Sequence, residues 1–451
     1  MPITAIATQD KVRELQRTLY RTAKADPGRR FHALYDKVHR RDVLERAWEL
    51  VRRNRGAAGI DRKTIAEVEQ FGVDRMLAEL ARELRDGSYR ALPARRVFIP
   101  KPGTRERRPL SIPTVRDRVV QAATKIAIEP IFEADFLPCS WGFRPRRTAH
   151  DALQVLLDES FQGARWVVEA DIASCFEEIP HERLMAAIEE RVCDRKLLKL
   201  LRAMLRAGVM EQGAVRRRDT GTPQGGVISP LLANVYLHRL DRQWADHRQG
   251  VPVRYADDLV VICRSQSSAR RALAALRAGL EALGLRIKEE KTRIVHLREG
   301  GEGFDFLGFH HRWVRAKSPG NRHVTFLARW PSRRAMKSAR ERIREITARK
   351  RLALGVETIV RELNWFLRGW GGYFRHGNST IAFDKVKVHA IDRLARFVAI
   401  RHQRSVGWGW VAVVHLSPDL MGLYDLQRTV KAPRPVGAGR RKPNAAGEAR
   451  R

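Results

Sequence analysis

The sequence predicts an α+β protein of two or three domains, and three observations predict it. Segments with strand character cluster in the middle of the chain, at residues 96–101, 164–176, 251–263, 285–297 and 304–314. Segments with helical periodicity precede, separate and follow them. The 451 residues exceed one average domain, and a hydrophobic fraction of 43% can fill a sizeable core.

The elements follow in order. Residues 10–90 read as helices with basic faces, broken at "RRNRGAAGID" (52–61), where the glycines mark a loop. "RVFIPK" (96–101) alternates like a strand, and "KPGTRERRPLSIP" (101–113) follows as a loop or hairpin. Thr114 and Asp117 form a capping-box pattern, opening a helix with Val115, Val119, Ala122 and Ile126 on one face. In "ARWVVEADIASCF" (164–176), Val168, Ala170 and Ile172 point one way, Glu169 and Asp171 the other. One helix is expected over about 181–206. "TPQGGVISPLLANVYLHRLD" (222–241) begins as a Gly-Gly turn and becomes an amphipathic helix.

In "VPVRYADDLVVIC" (251–263) two apolar strands flank a turn that carries Asp257 and Asp258. Leu273, Leu276, Leu280 and Leu283 then mark a helix closed by Gly284. Strand character resumes in "LRIKEEKTRIVHL" and "FDFLGFHHRWV". From about 330 the texture changes: "PSRRAMKSARERIREITARKR" is a strongly basic helix. "ETIVRELNWFLRGWGGYFRHG" places Ile359, Leu363, Phe366, Trp370 and Tyr373 on one face, with arginines opposite. The final residues, 426–451, read as a disordered basic tail.

Charge points to the partner. Lys+Arg 87 against Asp+Glu 51 gives a net charge of +36, with basic stretches along the whole chain. Such an excess fits a long polyanion, because neutralising many phosphates releases counterions. Cys139, Cys175, Cys193 and Cys263 contain no C-x-x-C pair, so neither a zinc ribbon nor a disulfide framework is expected. No signal peptide and no membrane-spanning run is recognisable, and the expected location is the cytosol.

The chemistry centres on three aspartates. Two adjacent acids alone suit a solvated turn. If the strand bearing Asp171 pairs with the Asp257–Asp258 hairpin, however, three carboxylates meet at one sheet edge and repel one another unless cations intervene. All-oxygen ligands with room for water and phosphate suit Mg²⁺, and two such ions would stabilise an in-line phosphoryl displacement.

The motifs carry a resemblance. "VRYADDLVV" resembles the catalytic box of reverse transcriptases, and "VVEADIASCFEEIPH" the preceding box with the first metal-binding aspartate. "GTPQGGVISPLLANVYLHRLD", "LRIKEEKTRIV" and "FDFLGF" resemble the remaining palm boxes, while "RGAAGID", "IPKPGTRERRPLSIPTVRDRVVQ" and "SWGFRPRRTAHDAL" resemble finger boxes, all in the family's order over roughly 50–310. "IVRELNWFLRGWGGYFRHGN" is similar to the maturase X region of group II intron reverse transcriptases, which serves as thumb.

That resemblance implies a right-hand polymerase: an N-terminal extension over 1–29, fingers over 30–165, palm over 166–325 and an α-helical thumb/X domain over 326–425. A short DNA-binding segment falls within 385–451, with no residue assignable to it. The implied activity is RNA-directed DNA synthesis together with binding of the intron RNA to assist splicing. The implied partners are a group II intron RNA template, a DNA primer or target and dNTPs, with no membrane and no zinc.

By the resemblance, Asp171, Asp257 and Asp258, with the Ile172 carbonyl, hold two Mg²⁺ ions, for which Mn²⁺ can substitute. Phe176 is the gate against a ribose 2′-hydroxyl; the plainer reading is a core phenylalanine. Lys101 and Arg108 grip the triphosphate, Arg108 preferred to Arg107 because it directly precedes Pro-Leu. Gln224 and Gly225 line the nascent base pair, and Lys291 contacts phosphate or the metal-site edge, a solvated lysine being the plainer reading. Phe306, Leu307, Gly308 and Phe309 form the primer grip, Phe306 and Phe309 suiting the core equally well. Trp365, Trp370 and Tyr373 are read as helix core in preference to base-stacking platforms, and Arg368 and Arg375 as the candidate RNA contacts. The missing C-x-x-C pairs imply no zinc-dependent endonuclease. Two rivals remain open here: a domesticated reverse transcriptase in repair or phage defence, and a non-enzymatic RNA-splicing chaperone.

Overall fold

An antiparallel four-stranded sheet divides the molecule's apolar interior in two. The computed structural model describes residues 3–100, 107–211, 214–216, 219–222, 225–245, 249–316, 320, 323–417 and 419–436. The architecture is α+β, with eleven described strands in three sheets. They are β1 (Ala94–Pro100), β2 (Arg107–Ile112), β3 (Trp166–Asp171), β4 (Val209–Glu211), β5 (Ala214–Arg216), β6 (Val251–Tyr255), β7 (Asp258–Cys263), β8 (Arg293–His296), β9 (Phe304–Phe306), β10 (Phe309–Arg315) and β11 (Thr325–Pro331). The dividing sheet has the order β6-β7-β3-β8; the others run β2-β1-β4-β5 and β11-β10-β9.

Strand β7 shows why the dividing sheet sits centrally. Its residues Leu259 to Cys263 are all buried, which requires cover on both faces. Leu259, Val261 and Cys263 join Val168, Ala170 and Ile172 in one core, beneath helices Val115–Glu133, Ser229–Asp241 and Gln266–Ala282. Val260 and Ile262 join Val167 in a second core, shared with β9 to β11 and helices Ala149–Phe161, Arg333–Ile346, Val356–Phe374 and Thr380–Arg401. A one-residue slip of β7 would exchange these two faces, so the packing fixes its register.

Several local expectations hold. The Thr114 hydroxyl accepts the Asp117 amide at 3.1 Å and caps the helix that follows. Gly284 adopts φ 70 just after the helix Gln266–Ala282.

Others change. The single helix expected over 181–206 is two, His181–Glu189 and Arg195–Arg206; Asp194 starts the second by accepting the Lys196 and Leu197 amides. The helices Val115–Glu133 and Ser229–Asp241 are buried nearly all round rather than on one face, being enclosed within the first core. In Val356–Phe374 the deepest residues are Ile359, Leu363, Leu367 and Phe374, flanked by the partly buried Phe366, Trp370 and Tyr373. Trp365 is not core, being 65% exposed. Part of the stretch expected as tail lies against the fold: the Lys431 amide donates to Arg375 O and the Val436 amide to Asp158 Oδ1. Residues 437–451 lie outside the described residues. No described helix is long and apolar enough to cross a membrane.

Candidate active site

Register brings the acids together. Strands β3 and β7 pair antiparallel with Asp171 directly opposite Asp258. Strands β6 and β7 pair up to Tyr255 and Asp258, leaving Ala256 and Asp257 as a two-residue turn. Ala256 takes a left-handed φ of 57, which such tight hairpins demand. The Ile172 amide donates to Asp257 O at 3.4 Å, tying the turn to the end of β3. Beyond Asp171 the chain is pinned on its other side, where the Ala173 amide donates to Arg286 O and the Lys288 amide to Asp171 O. Ile172 itself bridges Ile287, at the same sheet end as the three carboxylates.

The electrostatics suit a cation. Burial, followed by the neighbouring Asp171, raises the Asp257 carboxyl above its usual range, while Arg108 and Lys291 oppose the shift. Asp258 is pushed up to about 6, first by burial and then by Asp257 and Asp171. Solvent reaches the Asp258 side chain at the end of β7, which softens the penalty relative to an enclosed acid. Three oxygen donors that destabilise one another as anions fit a divalent ion. Among the described residues no set of three acidic, histidine or cysteine side chains already encircles a metal-sized space. The Asp171 carboxylate instead accepts a hydrogen bond from the Lys291 ammonium.

The remaining predicted residues lie in different parts of the fold. Phe176 is partly buried, and its carbonyl accepts the Thr222 amide at 2.7 Å; with Arg96, Ser111 and Thr222 it lines a cavity of about 50 Å³. Gly225 has φ 108, and a Cβ there would lie 2.5 Å from Ser111 O, so only glycine fits. Arg108 lies exposed on β2 opposite Ile99, close enough to act on Asp257. Lys101 and Gln224 lie outside the described residues.

In "FLGF", Phe306 and Phe309 belong to the second core, while Leu307 and Gly308 form the turn with φ 49 and 79. Their carbonyls accept from Tyr373 Oη (2.8 Å) and the Ser332 amide (2.9 Å) respectively. Arg368 stands over the Tyr424 ring, whereas Arg375 keeps its Nε buried.

Sequence reasoning missed the frame behind the turn. Arg254, fully buried, donates Nε to Asp241 Oδ1 (2.7 Å), Nη1 to Asn234 Oδ1 (3.0 Å) and Ala256 O (3.1 Å), and Nη2 to Ser140 Oγ (2.8 Å). Asn234 Nδ2 in turn donates to Gly142 O at 2.8 Å, and a Cβ on Gly142 would sit 2.5 Å from the Ala256 amide. A signal existed: an arginine inside the apolar run 251–255 and an asparagine inside "LLANVYL" are polar residues that a buried position must pair.

Comparison with known proteins agrees with the geometry. The profile of "Reverse transcriptase (RNA-dependent DNA polymerase)" matches residues 99–311, and that of "Group II intron, maturase-specific domain" matches 336–413. Protein YkfC of Escherichia coli is 36% identical over 349 residues, 68% of this chain and 89% of that protein. The group II intron-encoded protein LtrA of Lactococcus lactis is 39% identical over 213 residues, 47% of this chain and 35% of LtrA. A 91 kDa protein in the cob intron of Schizosaccharomyces pombe is 27% identical across 86% of this chain and 56% of its own length. These matches favour neither the domesticated nor the chaperone reading, and the family depends on divalent metal. The three aspartates, the two matched regions and the extent of the YkfC match lead to one conclusion: the chain belongs to the group II intron reverse transcriptases/maturases, a family of RNA-directed DNA polymerases.

Proposed function

We propose that the chain extends a DNA primer 3′-hydroxyl along group II intron RNA and also binds that RNA to assist splicing. The observation that carries the first half is the pairing of Asp171 with Asp258 beside the Asp257 turn. In this reading residues 30–165 are fingers, 166–325 palm and 326–425 thumb, and the dividing sheet is the palm floor.

Each residue has a task. Asp171, Asp257 and Asp258, with the Ile172 carbonyl, hold two Mg²⁺, or Mn²⁺ in their place. When bound, those ions supply Lewis acidity to the attacking and leaving oxygens. Arg108 and Lys101 orient the triphosphate by charge-assisted hydrogen bonds. Phe176 closes the space beneath the sugar, so a 2′-hydroxyl meets the ring. Gly225 lets backbone approach the incoming base pair, with Gln224 beside it. Lys291 neutralises Asp171 before substrate arrives and is then available to phosphate. The turn Leu307–Gly308 steadies the primer, with Phe306 and Phe309 anchoring it from below. The bond formed joins the 3′-oxygen to the α-phosphorus, and pyrophosphate leaves.

Primer extension on an RNA template with Asp257→Ala tests the reading. Full-length cDNA from that variant would sink the enzymatic assignment and leave a binding role alone.

A further inference from the structure

The helix Val356–Phe374 carries on its outer face a side chain that the fold leaves unused. Ile359, Leu363, Leu367 and Phe374 enter the second core, whereas Trp365 points away from it and remains 65% exposed. An indole buries more apolar area than almost any other side chain, so leaving one in water forgoes folding energy that a partner can recover.

The surroundings are shaped and charged. Trp365 lies in a depression of about 340 Å³ with Arg361, Asn364, Arg368, Met421 and Gly422, a size typical of small-ligand clefts. The Arg361 guanidinium lies 5.9 Å from the Trp365 ring centroid, and that of Arg368 lies 5.2 Å from the Tyr424 centroid. Among the described residues neither arginine forms an ion pair; Glu357 is an acid at the rim. Asn364 donates to Gly422 O at 2.8 Å and accepts the Tyr424 amide at 2.7 Å, which fixes the wall before any ligand arrives.

We propose that this depression docks an unpaired nucleotide of RNA, its base stacked on Trp365 and its phosphates met by Arg361 and Arg368. An aromatic face serves any base, and two guanidiniums outside any close ion pair complement the backbone. RNA is the chosen occupant because the helix lies within the match to the maturase-specific domain, 336–413. The proposal therefore rests on the RNA-binding half of the proposed function. It keeps Arg368 from the sequence reading, replaces Arg375 by Arg361, and gives Trp365 the stacking role that the sequence ranked below a core position.

The test measures fluorescence anisotropy of the full chain with two labelled probes, an RNA hairpin with an unpaired loop and a blunt RNA duplex. Trp365→Ala is expected to weaken hairpin binding roughly 5- to 100-fold, with duplex binding unchanged. Trp365→Phe should restore most of the loss, because it keeps a stacking face. Circular dichroism and melting temperature check that the fold is intact, as expected for an exposed position. Unchanged hairpin binding by Trp365→Ala overturns the proposal and leaves the surface to another kind of partner; an equal loss on both probes overturns it too. Primer extension and hairpin binding by the wild-type chain report separately on the proposed function, so the two failures are distinguishable.

Discussion

Arg254 and Asp241 form a buried two-point ion pair, with Nε to Oδ1 at 2.7 Å and Nη2 to Oδ2 at 2.5 Å, directly behind the turn that presents Asp257. The same guanidinium reaches Ala256 O, so charge pairing and turn geometry are one unit. Breaking a buried pair from one side leaves an uncompensated charge and costs roughly 3–5 kcal/mol. Asp241→Asn or Arg254→Met is expected to show that loss in chemical unfolding. The double variant Arg254→Met/Asp241→Leu should recover much of the stability but not the rate of primer extension, because the turn loses its hydrogen bond.

Asp258 separates activity from stability. Its carboxyl is pushed up to about 6, so at pH 7 the metal-free folded state carries an anion it disfavours. Asp258→Asn should lower extension by at least about 100-fold. The same change should raise the melting temperature of the metal-free protein. A parallel fall in both quantities would show that Asp258 is structural.

Phe176 is tested by its discrimination between sugars. Its carbonyl accepts the Thr222 amide and the residue lines a small cavity beside Arg96 and Ser111, so truncation enlarges that space. Phe176→Ala is expected to raise ribonucleotide incorporation relative to deoxyribonucleotide by roughly 10- to 100-fold in kcat/KM. A core role alone would lower both rates together and leave their ratio unchanged.

His238 predicts a pH dependence. Burial lowers its pKa to about 4, and its Nδ1 has no hydrogen-bond partner. The folded state therefore holds it neutral while the unfolded chain protonates near pH 6.5. Its contribution to stability is complete above pH 6.5 and is lost progressively as pH falls toward 4, by on the order of 1–3 kcal/mol. Melting curves of His238→Gln should fall less steeply than wild type between pH 6.5 and 5. The buried His311 shifts in the same direction and accounts for part of the remaining slope.

The sequence by itself determined which residues are chemical and roughly where the elements lie. Alternation in 164–176 separated Asp171 from Val168 and Ala170, and the helix ending at Gly284 could be read from spacing and turn chemistry. Such patterns are legible because they depend on near neighbours. Tertiary structure decided the rest. Asp171 meets Asp258 only because two cores fix the register of β3 and β7, and Lys291 reaches Asp171 from a distant turn. Periodicity placed Trp365 on a helix but could not tell which face its neighbours would cover. Arg254 read as one charge in an apolar strand, and only packing showed the helix Ser229–Asp241 and the Ser140 loop around it that make burial tolerable. Pairings between remote residues depend on what the whole chain covers, and no local pattern encodes that.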